Sequence, residues 1–498
     1  MRSFQKPLKV SSNPKGPSIH SKKSQSKKHI APIYLLMSAE DRTVREAESS
    51  SGRPHPPGRD RGSLLVLQNP GRFTRHYLAD MAAAANRLGI PTVVLELGTV
   101  WDARQQGTPM PSDQMHEILQ QHRVRAVIGS GSNGLLEWPM EGLPDGTLRP
   151  FFERAAIPHL MWWTDHPQWA NERFGLRPEL QPALCSPNIH TFVKSPVAAR
   201  ELKDILGWPH CIGLPVAENP DRLKPVAIAK PDFDVVAVVG SPPDSDTSLE
   251  RFLADDDPDI EAISATVAPG VLSRILDRWA IHAPRNFHLS LELFARDWVR
   301  ARAREPLVGS YRLFTRLAFR HRKAREWIRA NPHAYFDAVE SLWAFGRWQR
   351  TFYLRYLAKY FRVGVFGCDW TAVGIAGSKE WVAHEDQPTV YARGRVAINL
   401  SQAGDEEGLA HKPFQIAASG VPMVHIARRG LADCFTPGTE VLAFLTPREA
   451  RDAVGLLLSD RVRAKRMAGA ARERLCREHT WEQRLPQLLA AAGVTSIA

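Results

Sequence analysis

The chain has 498 residues, of which 43% are hydrophobic and 24% charged, and this is ordinary for a globular protein of about two or three domains. Its formal net charge of +12 suits an anionic partner such as a nucleotide, a nucleic acid or an acidic membrane surface, without choosing among them. The five cysteines are widely spaced and form no CxxC pair, which disfavours a disulfide framework or a zinc site. The sequence has no long apolar run, so we predict no transmembrane helix and no signal peptide.

Residues 1–60 are dominated by Lys, Ser, Pro and Arg, with one short apolar interruption at residues 30–37. This composition buries too little apolar surface to offset chain entropy, so a disordered basic tail is predicted. The tail is expected to be solvated, and contact with anionic lipid or RNA is the alternative.

From Gly62 the pattern alternates between short apolar strands and amphipathic helices, which predicts an α/β domain over residues 62–218. The predicted strands are residues 64–68, 91–97, 126–129, 158–163 and 191–193. The predicted helices are residues 73–88, 112–122 and 196–206. A glycine-rich turn at residues 129–134 lacks any dinucleotide or P-loop fingerprint and is a weak signal.

Asp165 and His166 follow the strand predicted at residues 158–163. Ligands of open α/β sheets bind at the carboxyl ends of strands, so both residues are candidates for acid–base chemistry or acceptor contact. The alternative is that His166 is a hydrogen-bonded loop residue rather than a functional one.

Residues 232–498 are predicted to form a second α/β domain. It opens with an apolar strand that ends at Gly240, followed by a loop at residues 241–244 without a basic residue. Residues 249–359 show helical periodicity and predict a helical insertion whose aromatic residues form a core. Its interleaved arginines also suggest nucleic acid, which we consider the weaker interpretation.

Residues 404–426 read as a loop, a short helix and a buried strand. A helix N-terminus carries unpaired N–H groups and partial positive charge, and Lys412 adds a full charge, so this junction suits a diphosphate. Glu407 and Gln415 are placed to flank such a ligand, whereas Arg395 in the strand before it is either a second phosphate contact or a solvated surface residue. An ordinary loop–helix–strand unit of a sheet is the alternative.

The same stretch resembles the C-terminal signature of group 1 glycosyltransferases with the GT-B fold. Glu407-Gly408 matches its first half and residues 415–424 its second half, with seven residues between the two acidic positions of the family. Gln415 stands where the family has its second glutamate. Asp165-His166-Pro167 is loosely similar to an Asp-His-Pro segment that follows a strand in bacterial glycosyltransferases related to spore-coat maturation proteins. His479-Thr480-Trp481 with Arg484 matches a C-terminal motif of the family, in which Thr480 is expected to cap a helix.

The resemblance implies two Rossmann-like domains facing across a cleft, and metal-independent transfer of a sugar from a nucleotide-diphosphate sugar without a cofactor. It implies a glycan, lipid or protein acceptor, a bacterial cytoplasmic location with peripheral membrane contact through the tail, and no nucleic acid. Asp165, His166 and Glu407 are the implied catalytic residues. The implied donor contacts are Gly240, Gly367, Arg395, Gly408, His411, Lys412 and Gln415.

Two departures keep an alternative open. Gln415 loses the charge-assisted bond of a glutamate to a ribose, and the loop at residues 241–244 has no base. A catalytically impaired relative that binds a nucleotide sugar or glycan therefore competes with an active enzyme. A membrane-associated or nucleic-acid scaffold is the third possibility, suggested by the charge of +12.

Overall fold

The structure is a computed structural model, and residues 53–498 group into one compact unit. It describes residues 62–68, 72–96, 112–131, 140–142, 148–150, 153, 155–169, 173–240, 247–367, 370–375, 381–402, 404 and 406–495. The predicted tail and the loops at residues 132–134 and 241–244 lie outside the described residues.

The first half of the chain builds a six-stranded sheet in the order β2-β1-β3-β6-β7-β8, and every pairing is parallel. Its strands are β1 (Ser63–Gln68), β2 (Thr92–Glu96), β3 (Val124–Ser130), β6 (His159–Trp162), β7 (Ile189–Val193) and β8 (Cys211–Gly213). Two short strands, β4 (Met140–Gly142) and β5 (Leu148–Pro150), pair as a separate antiparallel ladder.

The helices between these strands are α1 (Arg72–Arg87), α2 (Ser112–Gln121), α3 (Gln181–Leu184) and α4 (Pro196–Leu206). Local chemistry fixes both ends of α4. The Ser195 hydroxyl accepts hydrogen bonds from the backbone N–H groups of Val197 and Ala198, and Pro196 occupies the first turn. Gly207 follows in the left-handed conformation with φ of 73°, so the chain turns at once into β8.

The second half builds a five-stranded parallel sheet in the order β10-β9-β11-β12-β13. Its strands are β9 (Phe233–Val238), β10 (Val363–Phe366), β11 (Gly394–Asn399), β12 (Met423–Ile426) and β13 (Leu442–Phe444). The two parallel sheets with their covering helices confirm the predicted α/β class with two Rossmann-like sheets.

Six helices separate β9 from β10, as the periodicity of residues 249–359 predicted. They are α5 (Ile260–Ala280), α6 (His288–Arg304), α7 (Ser310–Leu317), α8 (Arg322–Ala330), α9 (Pro332–Leu342) and α10 (Ala344–Ala358). Their aromatic side chains form a core of their own, in which Phe294, Trp298, Phe314 and Tyr335 are fully or nearly fully buried. These buried aromatic side chains serve packing, as expected, whereas Phe319 of the same segment is 87% exposed.

The remaining helices are α11 (Gln387–Ala392), α12 (Lys412–Ala418), α13 (Leu431–Cys434), α14 (Pro447–Ser459), α15 (Arg461–Glu478) and α16 (Trp481–Ala491). Thr480 is the N-cap of α16, as predicted, and its backbone N–H donates to the Gln483 side chain at 2.9 Å. Helix α16 returns to pack against α1, and one apolar cluster extends from Leu64 of the first sheet to Val236 of the second. Among the described residues, no helix is both long and apolar enough to cross a membrane.

Candidate functional site

A pocket lies where β6, β7 and β11 end, so the carboxyl edges of both sheets contribute to it. The first sheet supplies Asp165 and His166 after β6 and Lys194 after β7. The loop after β11 supplies Gly404 and residues 406–408, and the helices α7 and α9 close the third side. The pocket is partly open to solvent.

His166 is brought together with Glu201, a residue that the sequence analysis did not single out. The Nε2 atom of His166 lies 3.2 Å from Oε2 of Glu201 on α4, and both side chains line the pocket. The other oxygen of Glu201 accepts a 2.7 Å hydrogen bond from the hydroxyl of Tyr335, whose pKa is raised well above its usual value by burial and by the Glu201 charge. A carboxylate held on one side by Tyr335 can orient an imidazole on the other, which is the arrangement of a base and its positioning residue.

Asp165 lies beside His166 at the rim of the pocket and is exposed. The structure thus places both residues predicted after β6 at the same site. Their catalytic role stays a prediction.

Glu406 and Glu407 are anchored by the start of α7. Glu406 accepts hydrogen bonds from the backbone N–H and the hydroxyl of Ser310, both at 2.6 Å. Glu407 accepts one from the backbone N–H of Gly309 at 2.9 Å and pairs with Nε of Arg312 at 2.6 Å. Burial raises the pKa of Glu406, although nearby Arg302 opposes that shift.

These contacts hold the loop predicted to contact the donor against the helical insertion. Both oxygens of Glu407 are already bonded, and its side chain is only 4% exposed. A direct bond from Glu407 to a donor must therefore compete with Arg312, a contact that the sequence analysis did not predict.

At Gly408 the loop after β11 passes close to Lys194 and Ser195 in the first half of the chain. A Cβ atom at this position would lie 3.2 Å from the Cβ of Ser195 and 3.3 Å from that of Lys194. Glycine suits this close approach, because a Cβ atom here would require Ser195 and Lys194 to shift by a few tenths of an ångström. The contact places Gly408 on the pocket wall beside Lys194.

His411, Lys412 and Gln415 lie deeper than predicted, under α1. The His411 ring stacks on Tyr77 at 3.9 Å between centroids, and burial followed by the charges of Lys194, His384 and Lys412 lowers its pKa well below the usual value. Gln415 is 2% exposed and donates to the Tyr77 hydroxyl at 3.1 Å.

This position corrects the expectation that Gln415 faces a nucleotide ribose, because in this structure its amide faces Tyr77 and His384. It also accounts for the uncharged side chain. His384 lies between Gln415 and the fully buried Glu218, so a glutamate here would set a second carboxylate nearby.

Lys412 begins α12, and its Nζ atom donates to the side chain of Gln387 at 3.2 Å. Burial lowers its pKa to about 8, while Glu218 partly opposes that shift. The ammonium is thus held within reach of neutral pH, where it can lose or keep its charge.

Arg395 is not brought to this edge. It lies at the start of β11, where it donates to the carbonyl of Leu458 at 2.7 Å and approaches Asp234 at 3.7 Å. Parallel strands begin at the edge opposite the pocket, so the structure does not support the predicted phosphate contact.

Gly240 and Gly367 follow β9 and β10 at the carboxyl edge. Gly367 has φ of 119°, and a Cβ atom there would collide with the carbonyl oxygen of Val239. The indole of Trp370 donates to the carbonyl of Gly240 at 3.1 Å and so joins the two strand ends. Gly367 therefore has a backbone reason for being glycine, whereas a Cβ atom at Gly240 would meet open space. The contact of both residues with a donor stays a prediction.

A second buried cluster was missed by the sequence analysis, because its members are far apart in the chain. Asp80 on α1, Glu218 in the connection between the sheets and His384 before α11 offer oxygen and nitrogen atoms within 4.8 Å of one another, which one metal ion can bridge. Arg222 already bonds Asp80 at 2.7 and 3.1 Å, and His384 lies 3.3 Å from Glu218. Arg222 compensates the charge of Asp80, and we interpret the cluster as an ion network that joins the two halves of the unit.

Residues 349–490 match a family model described as glycosyl transferase-like. No curated protein matches the chain. Among solved structures, a glycosyltransferase from Rickettsia africae is similar with 11% identity and a TM-score of 0.42, covering 87% of this chain and 99% of that one.

Sucrose-phosphate synthase from Thermosynechococcus elongatus is similar with 12% identity and a TM-score of 0.41, covering 86% of this chain and 100% of that one. HepE of Anabaena with UDP and glucose has 10% identity and a TM-score of 0.39, covering 86% and 99%. These values are too low to carry a conclusion. The family match includes the loop after β11, α12 and the last three helices, so the C-terminal part of the chain is glycosyl transferase-like.

Proposed function

We propose that the protein transfers a glycosyl group from a nucleotide-diphosphate sugar to an acceptor, and that the reaction takes place in the pocket between the two sheets. The observation that carries the proposal is the meeting of the His166–Glu201 pair from the first sheet with the loop at residues 406–408 from the second. The family match to residues 349–490 supports it, because that loop lies within the matched segment.

His166 is the base in this proposal. It removes the proton of the acceptor hydroxyl while Glu201 orients the ring and compensates its developing charge. Asp165, next to it at the rim, contacts the acceptor.

On the donor side, Gly240, Gly367 and Gly408 let the backbone approach the nucleotide sugar. Lys412 supplies positive charge to the leaving diphosphate, and His411, neutral because of its lowered pKa, contributes a hydrogen bond. Since Lys412 takes the electrostatic role, we propose transfer without a metal ion or cofactor.

The acceptor in this proposal is a glycan, a lipid or a protein in a bacterial cytoplasm. The basic tail adds peripheral contact with the inner face of the membrane, and nucleic acid is not a partner.

The experiment is a donor hydrolysis and transfer assay with a panel of nucleotide-diphosphate sugars. We expect one donor to be consumed, and the His166→Ala variant to consume it about 10²–10⁴-fold more slowly while still binding it. A donor that wild type consumes no faster than the His166→Ala variant would remove His166 from the chemistry.

The second candidate is a catalytically impaired relative that only binds a nucleotide sugar or glycan. The observation in its favour is the neutral, buried Gln415. Binding of one donor without consumption in the same assay, with any acceptor class, selects this alternative.

A further inference from the structure

We propose that the outer face of the helical insertion docks on the surface of an anionic lipid bilayer. The surface, called here the α6 face, consists of Leu289, Leu293, Arg296 and Arg300 on α6 and of Phe319, Arg320 and Lys323 at the turn between α7 and α8. It is a different part of the chain from the basic tail and from the sugar-transfer pocket.

The α6 face is unusually apolar for a solvent-exposed surface. Phe319 is 87% exposed, Leu289 70% and Leu293 49%. Leu289, Leu293, Arg296 and Arg300 follow one another at spacings of four, three and four residues, so they share one side of α6. Leu291, Phe294 and Trp298 occupy the opposite, buried side.

The turn after α7 lies along the same helix. His321 bonds Asp297 of α6 at 3.0 Å, and its ring lies 5.5 Å from that of Phe294. Two residues later, Lys323 donates to the backbone carbonyl of Asn286 at 2.5 Å. The turn that carries Phe319 therefore packs beside α6, the helix that carries the two exposed leucines.

Positive charge concentrates in the same region. Residues 285–329 contain twelve Lys and Arg and four Asp and Glu, which gives a formal charge of +8, compared with +12 for the whole chain. Each of the four acidic residues pairs with an arginine of the segment. Six basic residues of the segment make no ion pair with a described acidic residue: Arg285, Arg304, Arg320, Lys323, Arg325 and Arg329.

Exposed apolar side chains beside an excess of basic residues match the two layers of a membrane interface. Anionic headgroups attract the arginines and lysine, while Phe319 and the leucines enter the acyl boundary. Arg and Lys can keep their charged ends among headgroups while their stems lie along the apolar region. Nucleic acid would satisfy the charges but leave both leucines in water, so the lipid surface is the better fit.

The test is co-sedimentation of the full chain with phosphatidylcholine vesicles and with vesicles that also contain phosphatidylglycerol. Wild type is expected to bind only the anionic vesicles and to be released by high salt. The Leu289→Ser/Phe319→Ser variant should partition at least about tenfold more weakly, because the inserted apolar area is lost. The Arg320→Glu/Lys323→Glu variant should lose binding through charge.

The matched control is Val462→Ser/Lys465→Glu on α15, where Val462 is 78% exposed beside basic residues outside the α6 face. It should bind vesicles like wild type. All variants keep the tail, so wild-type binding in the Leu289→Ser/Phe319→Ser variant would overturn the proposal in favour of the tail. The proposal would also be overturned if wild type failed to bind anionic vesicles, or if the protein bound RNA and that binding survived the loss of Phe319. Donor binding in vesicle-free solution should be unchanged in every variant, which separates this test from that of the sugar transfer.

Discussion

At the scale of single residues, the pairing of His166 with Glu201 makes the sharpest prediction. Glu201→Gln keeps a hydrogen-bond acceptor for Tyr335 but removes the charge that faces the imidazole at 3.2 Å. We expect kcat to fall at least about tenfold with little change in KM, because the interaction strengthens as His166 gains its proton. Steady-state kinetics measure this split, and His116→Ala on the exposed surface of α2 is the control. A change confined to KM would contradict a positioning role.

Lys412 predicts a pH dependence of donor binding. Its pKa of about 8 means that the ammonium is charged at pH 7 and mostly neutral at pH 9. Affinity for a nucleoside diphosphate should therefore fall as pH rises through about 8, and binding near that pH should take up a proton. Calorimetry in buffers of different ionisation enthalpy detects the uptake.

In Lys412→Ala the pH dependence should disappear, whereas Arg395→Ala, at the opposite edge of the sheet, should retain it. Burial of Lys412 also makes the stability of the fold depend on pH. The pKa is lower in the folded protein than the ordinary 10.5, so burying the charged ammonium lowers the free energy of unfolding below pH 8. This penalty disappears as pH rises toward 10.5. Equal affinity of wild type and Lys412→Ala at pH 7 would remove Lys412 from the site.

At the scale of elements, the start of α7 organises the loop that the sequence placed at the centre of the site. Arg312→Ala leaves the buried Glu407 carboxylate with only the Gly309 N–H as a partner. We expect the free energy of unfolding to fall by about 1–3 kcal/mol, as for a lost hydrogen bond to a charged group. Denaturant unfolding measures the loss, and Arg329→Ala on the exposed side of α8 is the control. An unchanged stability would mean that the loop is held by other contacts.

The elements themselves were largely predictable, and their partners were not. Alternating apolar segments predicted most of the strands, and Ser195 with Gly207 marks the ends of α4. The three-residue β8 and the hairpin of β4 and β5 were missed, because strands so short carry little periodicity. The candidate site was predictable at Asp165, His166 and residues 404–412, where strand ends carry polar residues.

Glu201 and Arg312 could not be found in the same way. Each lies on a helix among many charged residues, and only the tertiary arrangement brings Glu201 to His166 and Arg312 to Glu407. For Gln415 the sequence analysis predicted a contact that the structure does not show. Its spacing predicted a ligand contact, whereas packing against Tyr77 from α1 covers it.

At the scale of the whole molecule, the network of Asp80, Arg222 and Glu218 joins α1 to the connection between the two sheets. Arg222→Ala leaves Asp80, whose side chain is 1% exposed, with Asn219 as its remaining partner. We expect a loss of about 3 kcal/mol in the free energy of unfolding, typical of an uncompensated buried charge. The double variant Asp80→Asn/Arg222→Ala should recover part of it. A loss in the double variant as large as in the single variant would contradict the account of a compensated ion network.

We propose that the crevice between the two sheets binds a nucleotide diphosphate for sugar transfer. Calorimetric titration of the full chain with UDP, GDP, ADP, CDP and dTDP measures this binding. We expect one of the five to bind in a 1:1 ratio with a Kd in the micromolar range, and Lys412→Ala to weaken that binding at pH 7. No detectable binding of any of the five nucleotides would contradict a nucleotide-binding crevice.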